Sequence, residues 1–275
     1  RAHIEHFGFV DGRSQPLVLQ EQVDLERANG GTSKWDPSAP LQLVLAPDPL
    51  GQPGFSHGSF LVYRKLEQNV RGFNRAMRDL ARALNVPEEL ARAMTMGRFQ
   101  DGTPVVNSDK SGTTNVPNDF GFADDAEGLK CPLHAHIRKA NPRNSSEKRD
   151  ERRHRIARRG IPYGGELVDS RGPLEDMPET GRGLLFLCYQ ADIFEQFEFI
   201  QRVWANFGNF PKPDTGVDPV IGQTSAGYGE AAKKWPSGWG KPLVNPGIDI
   251  AGFVKMKGGE YFFSPSLSFL KKPEA

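Results

Sequence analysis

The chain has 275 residues, 35 basic and 34 acidic side chains, a formal net charge of +1, and 37% hydrophobic and 10% aromatic residues. That balance excludes a disordered polymer and leaves no global electrostatic case for nucleic acid or membrane as a partner. Two cysteines, Cys131 and Cys188, exclude a disulfide scaffold and a four-cysteine zinc site, and the longest apolar run, Leu184 to Tyr189, is far short of the roughly 20 residues that span a bilayer.

The chain opens on Arg1 with an apolar stretch at once, as if in the middle of a domain, and no signal-peptide pattern is visible, which favours a cytoplasmic location. Leu41 to Leu45 read as a short strand between prolines, and Ser59 to Arg64 as a second. Leu66, Val70, Phe73, Met77, Leu80 and Leu84 recur every three or four residues, the stripe of an amphipathic helix. Pro87-Glu88-Glu89 opens another helix with acids in its first turn, and Gly97 closes it.

Residues 101–130 and 208–249 are loop-like, the second long enough to suggest function or a partner surface. Most of the charged stretch 143–159 reads as solvated, and its first ten residues as a solvated loop. The change from charge to apolar turn at Arg158-Arg159-Gly160 marks re-entry to the core, where an arginine can point inward. Arg182 to Tyr189 reads as a fully buried strand, and Ile193, Phe194, Phe197, Ile200 and Trp204 as one face of a helix packed on the core. Gly258-Gly259, between two apolar runs, predicts a hairpin. The order of elements argues an α+β fold, with helices packed on one face of an antiparallel sheet.

Few residues stand out for chemistry. Gly8-Phe9-Val10-Asp11-Gly12 presents a carboxylate between two glycines, either an ordinary Asp-Gly turn or a site where backbone approaches a flat ligand closely. His134 and His136 would share a face on a strand, but no nearby acid or cysteine completes a convincing zinc set. One histidine suffices as axial ligand to a haem, and leaves no spacing pattern.

Five phrases carry a resemblance. Glu5 to Gly12 followed by Ser14-Gln15-Pro16, Met96 to Pro104, Cys131 to Arg143, Arg158 to Gly164 and Gly183 to Gln190 resemble, in order, the signature of dye-decolorizing (DyP-type) haem peroxidases, and the likeness continues to Gly258–Phe263. The long-loop members are most similar. The resemblance implies a ferredoxin-like antiparallel sheet with helices on one face: a haem-binding domain over residues 1–275 with long loop insertions. It further implies haem b held by His136 as axial iron ligand, with Asp11 as distal acid/base and Arg158 as distal arginine. Asp218 is a candidate partner for His136. Gly8 and Gly12 would lie against the cofactor. Leu184 and Phe186 share a strand face that either borders the pocket or is plain core.

The implied activity is oxidation of dyes, phenolics or other bulky reductants by hydrogen peroxide, with electrons relayed through tyrosine or tryptophan. The alternative is a non-catalytic haem-binding, haem-transfer or deferrochelatase-type protein. His134 departs from the small or apolar residue expected two before the ligand, and Arg13 from the usual apolar one. Family members carry a further ferredoxin-like domain before the Asp11 phrase. A separate polypeptide or cleaved half is therefore expected to complete the fold, with the oligomeric state open.

Overall fold

The computed structural model describes residues 4–112, 118–144, 151–223, 233–248 and 250–271. Its strands are β1 (Ala46–Pro47), β2 (His57–Gln68), β3 (Ala157–Tyr163), β4 (Gly183–Gln190), β5 (Trp235–Pro236), β6 (Leu243–Val244) and β7 (Val254–Ser264). The helices are α1 (Gln20–Gly30), α2 (Val70–Leu84), α3 (Glu88–Met96), α4 (His136–Ala140) and α5 (Leu267–Leu270).

The main sheet runs β7-β2-β4-β3, every pair antiparallel, with β1 beside the start of β2. Taken in chain order, strand, helix, two strands, helical crossover and strand, this is the ferredoxin-like arrangement expected. Alternation sets the two faces. Val62, Arg64, Leu66 and Gln68 of β2 stand beside Cys188, Phe186 and Leu184 of β4 on the inner face, as their register requires. The outer face carries Ile161, Tyr189 and Phe262, exposed to 47%, 41% and 49%.

Asn69 caps α2 by accepting the Gly72 amide at 2.7 Å, and the helix buries Val70, Phe73, Met77, Leu80 and Leu84. Phe73 stacks on Phe7, ring centroids 4.1 Å apart, which joins the first loop to the helical layer. Gly97, at φ 96°, ends α3; a Cβ there would strike Ile137, so α3 and the residue after His136 meet only because this position is glycine.

Several expectations are corrected. Leu41–Leu43 form a single 3-10 turn, since Leu41 faces solvent and has no strand beside it. Leu66 belongs to β2 rather than to the helix, which Asn69 starts. The β4 strand is half-buried: one face opens on a cavity, the other on solvent. The amphipathic crossover is wound wide over Phe194–Glu198 and Ile200–Ala205, with amides reaching carbonyls five residues back (Glu198 to Ile193, 2.9 Å; Asn206 to Gln201, 3.0 Å). Phe194 consequently leaves the buried stripe and stands 59% exposed.

Gly258 and Gly259 make no hairpin. Both lie extended within β7, opposite Lys65 and Arg64, because pairing with β2 along the whole strand overrides the local turn preference. Within 143–159, residues 145–150 lie outside the described residues, but Arg143 is not solvated: it is 1% exposed, 3.9 Å from the Phe120 ring centroid. Parts of the two long loops, 113–117, 224–232 and 249, also lie outside them.

Candidate functional site

A cavity of about 520 Å³ opens between the inner sheet face and α4. Asp11, Arg158, Leu184 and Phe186 line it together with His136.

Asp11 is placed by a self-braced loop. Buried Glu5 accepts the Phe7 and Phe9 amides, both at 2.9 Å, and the Gln68 amide at 2.5 Å. The Val10 amide then bonds the Gln100 carbonyl at 3.0 Å, so the chain reaches Asp11 already fixed. Gly8 and Gly12 sit at φ 95° and 84°, as turn residues. Neither lines the cavity: a Cβ on Gly8 would meet Gln100, and one on Gly12 would meet nothing.

Arg158 lies on β3, the sheet edge. Its Nη1 donates to Asp11 Oδ1 at 2.6 Å and its Nη2 to the Arg13 carbonyl at 2.8 Å. An edge strand leaves backbone groups unpaired. Here the Gln15 side chain fills that role, donating to the Arg158 carbonyl at 2.7 Å and accepting its amide at 3.1 Å. Burial raises the Asp11 pKa, but the Arg158 charge and hydrogen bonds from Arg158 and Gly12 outweigh it and hold the carboxyl below its ordinary range.

Two positions of the site had no role assigned from sequence. Gln15 was visible only as part of a phrase. Gly160 is a glycine because a Cβ there would collide with Asp11 Oδ2; the absent side chain makes room for the carboxylate. A glycine two residues beyond the inward arginine was the available signal.

On the other wall, α4 is anchored by the two residues after Ile137. Arg138 donates to Asp125 Oδ2 at 3.1 Å and to the Cys131 carbonyl at 2.7 Å. Lys139, with no exposed surface, donates to the carbonyls of Phe207, Phe210 and Gly216 at 2.8, 2.7 and 3.0 Å. Burial pushes its pKa down to about 7.

His136 begins this helix, and its Nδ1 meets Asp218 Oδ2 at 2.9 Å, which leaves Nε2 for the cavity. The other Asp218 oxygen accepts the Val220 and Ile221 amides at 2.8 and 3.0 Å. Asp218 is completely buried, which raises its pKa, but the His136 partner and these amides outweigh burial and keep it low. His134 is elsewhere. It packs edge-on against Trp235, centroids 4.4 Å apart, outside the cavity lining. A helix begins at His136, so the two histidines share no strand face. Among the described residues no group of three acids, histidines or cysteines could hold a bare metal ion.

Arg98 and Arg143 also line the cavity, 5% and 1% exposed. Both donate to neutral acceptors, Ser14 Oγ at 2.8 and 2.7 Å and Asn118 Oδ1 at 2.9 and 2.7 Å. Neither has a carboxylate partner among the described residues.

The α+β fold thus brings an imidazole and an acid–guanidinium pair to the lining of one cavity. Residues 5–212 match the family model for the Dyp-type peroxidase C-terminal domain, and the chain belongs to that family. It is 48% identical over 287 residues to the multifunctional dye peroxidase DyP2 of Amycolatopsis sp., covering 98% of this chain and 60% of that protein; against the solved DyP2 structure the TM-score is 0.92. The DyP-type peroxidase AnaPX of Anabaena sp. superposes with TM-score 0.89 at 46% identity, covering 98% of this chain and 58% of that one. A deferrochelatase of Yersinia pestis is similar over 115 residues only, at 39% identity, covering 38% of this chain and 24% of that protein. The chain thus spans about 60% of the length of the curated relative it matches best among these. Dyp-type peroxidases are haem enzymes.

Proposed function

We propose that this chain is the haem-binding, peroxide-reducing part of a Dyp-type peroxidase, holding haem b in the cavity. The residues present fit that group. His136 offers one ring nitrogen backed by a buried carboxylate, the walls are largely apolar, and Arg98 and Arg143 supply uncompensated positive charge to match two propionates. Bound haem would supply the redox-active iron at which hydrogen peroxide is reduced.

The chain supplies the rest. His136, kept in one tautomer by Asp218 and made more electron-rich by that contact, would hold the iron. Asp11 accepts a proton from peroxide and returns it to the departing oxygen, acting as base and then as acid. Arg158 engages Oδ1 alone, and Asp11 keeps part of its side chain exposed for that transfer. Arg158, always charged, stabilises the negative charge that develops as the O–O bond breaks. Leu184 and Phe186 narrow the cavity beside Asp11, so dyes and phenolics give up electrons from outside it.

The placement of the Asp11–Arg158 pair on the wall facing His136 carries this reading; a protein that only carries or demetallates haem needs His136 alone. The test is an absorption titration of the purified chain with haem, followed by stopped-flow mixing with peroxide for wild type and Asp11→Asn. Both proteins should bind haem, and only the wild type should react rapidly. Equal rates would favour the haem-transfer reading.

The exposed apolar outer face of the sheet supports a second part of the proposal: further polypeptide covers it, in the same chain or on a separate one. No described helix is long and apolar enough to cross a membrane.

A further inference from the structure

Lys139 is a buried charge to which the reaction above gives no task. Lysines are almost never fully buried unless paired, yet this one has no exposed surface. An ammonium has three protons to donate, and here all three go to backbone carbonyls of one loop, at Phe207, Phe210 and Gly216. The Phe210 ring centroid lies 5.7 Å from the same nitrogen. Without the ammonium, three carbonyls would lose a donor that an apolar side chain cannot replace. The loop leads directly to Asp218. Its Gly216 amide returns to the Gly208 carbonyl at 2.8 Å, and the Asp218 amide to the Ala205 carbonyl at 2.9 Å. Lys139 thus grips the loop near its start and again just before Asp218. On α4, His136 and Lys139 are three positions apart, which makes them neighbours on one helix face. Both reach the same loop, His136 through Asp218 Oδ2 and Lys139 through the carbonyls that precede it.

We propose that Lys139 is a positioning residue for the imidazole: by tying the 207–216 loop to α4, it sets Asp218 against Nδ1 of His136. The proposal rests on the reading of His136 as the haem ligand. His136 and Asp218 are 82 residues apart, and their contact needs the helix and the loop to be held at one separation. Lys139 supplies that separation from the residue next along the same helix face. With the ammonium removed, the loop is released at both grips and Asp218 can withdraw. The imidazole then loses its fixed tautomer and the added basicity that the carboxylate gives it. An imidazole of lower basicity binds ferric haem less tightly and favours the ferrous state more.

The test compares the full chain with Lys139→Met, which keeps an apolar stem and loses every donor. Without haem, nitrogen NMR of labelled histidine rings should show His136 in wild type as one tautomer, its proton on Nδ1. The variant should show a mixture of the two tautomers. With haem added, the variant should bind about 10-fold more weakly, the lower end for loss of a contact that orients a ligand. Its iron–imidazole stretch in resonance Raman should fall in frequency, and its midpoint potential should become more positive. Asp218→Ala removes the acceptor outright and should shift all of these in the same direction. Adding Lys139→Met to Asp218→Ala should then change tautomer, stretch and potential no further. Lys139→Gln keeps two N–H donors, is the milder change for folding, and should lie between wild type and Lys139→Met. Variants that lose stability in denaturant but keep the wild-type tautomer, haem affinity and potential would overturn the proposal, as would additive effects in the double variant. A wild-type chain that binds no haem would defeat the peroxidase reading, while the NMR comparison without haem still judges Lys139.

Discussion

The two walls of the cavity each hold an aspartate against a cationic or basic partner, and they are built for opposite purposes. Asp218 has no exposed side-chain surface and every oxygen is committed, one to His136 and the other to two backbone amides. Asp11 keeps 16% of its side chain exposed, and Arg158 engages only one of its oxygens. Saturation makes Asp218 a fixed support that orients an imidazole. Partial satisfaction makes Asp11 a carboxylate that can take up and release a proton. On the proposed reading, the donors around each carboxylate suit one to bracing and the other to proton transfer.

That contrast can be broken from either side. Asp11→Asn removes the proton acceptor but not the imidazole, so haem affinity should hold while the rate of reaction with peroxide falls about 10³-fold. A stopped-flow rate within a few-fold of wild type would end the proton-carrier role. Gly160→Ala keeps Asp11 but pushes it aside, and a misplacement of about 1 Å should cost about 10²-fold in the same assay. If the variant reacts like wild type, the close approach has no functional consequence. On the opposite wall, Asp218→Asn should weaken haem binding about 10- to 100-fold by releasing the ring of His136, as read by titration with haem. An unchanged affinity would show that α4 alone orients the ligand.

The pH dependence sharpens the comparison further. The pKa of Asp11 lies below its ordinary value of about 3.9, so the ionised base persists in mild acid and the rate should drop only as pH falls through that depressed value. A profile that instead rises between about pH 6 and 7 would assign the base to a histidine. The smallest effect expected concerns stability. Lys139 titrates near 7 when folded and near 10.4 when unfolded; between those values the unfolded chain binds the proton that the folded one releases. Stability should therefore rise with pH across that window, and Lys139→Met should flatten the rise in denaturant titrations. A slope that survives the substitution would trace it to another group.

Much of this was legible in the chain itself. The stripe from Val70 to Leu84, the acids at the start of α3 and the alternation along β2 and β4 report their elements, because helix and strand periods are set by residues two to four apart. The phrases around Asp11, His136 and Arg158 marked the residues that now share a cavity. Local pattern failed where a distant partner had the stronger claim. Gly258-Gly259 would turn in isolation but is drawn straight by the pairing of ten β7 residues with β2, and Arg143 is drawn out of a charged run by Phe120.

The resemblance singled out His136 rather than His134, with Asp218 as a candidate partner; the fold is what brings Asp218, 82 residues away, to brace that ring against the cavity. Asp11 and Arg158 are 147 residues apart, and the room for their contact is made by a glycine whose purpose is invisible without its neighbour. Sequence alone therefore determined which side chains were suited to the chemistry and which segments were helix or strand. Only the folded sheet decided their distances, because burial and close approach depend on residues that the chain brings together from far apart.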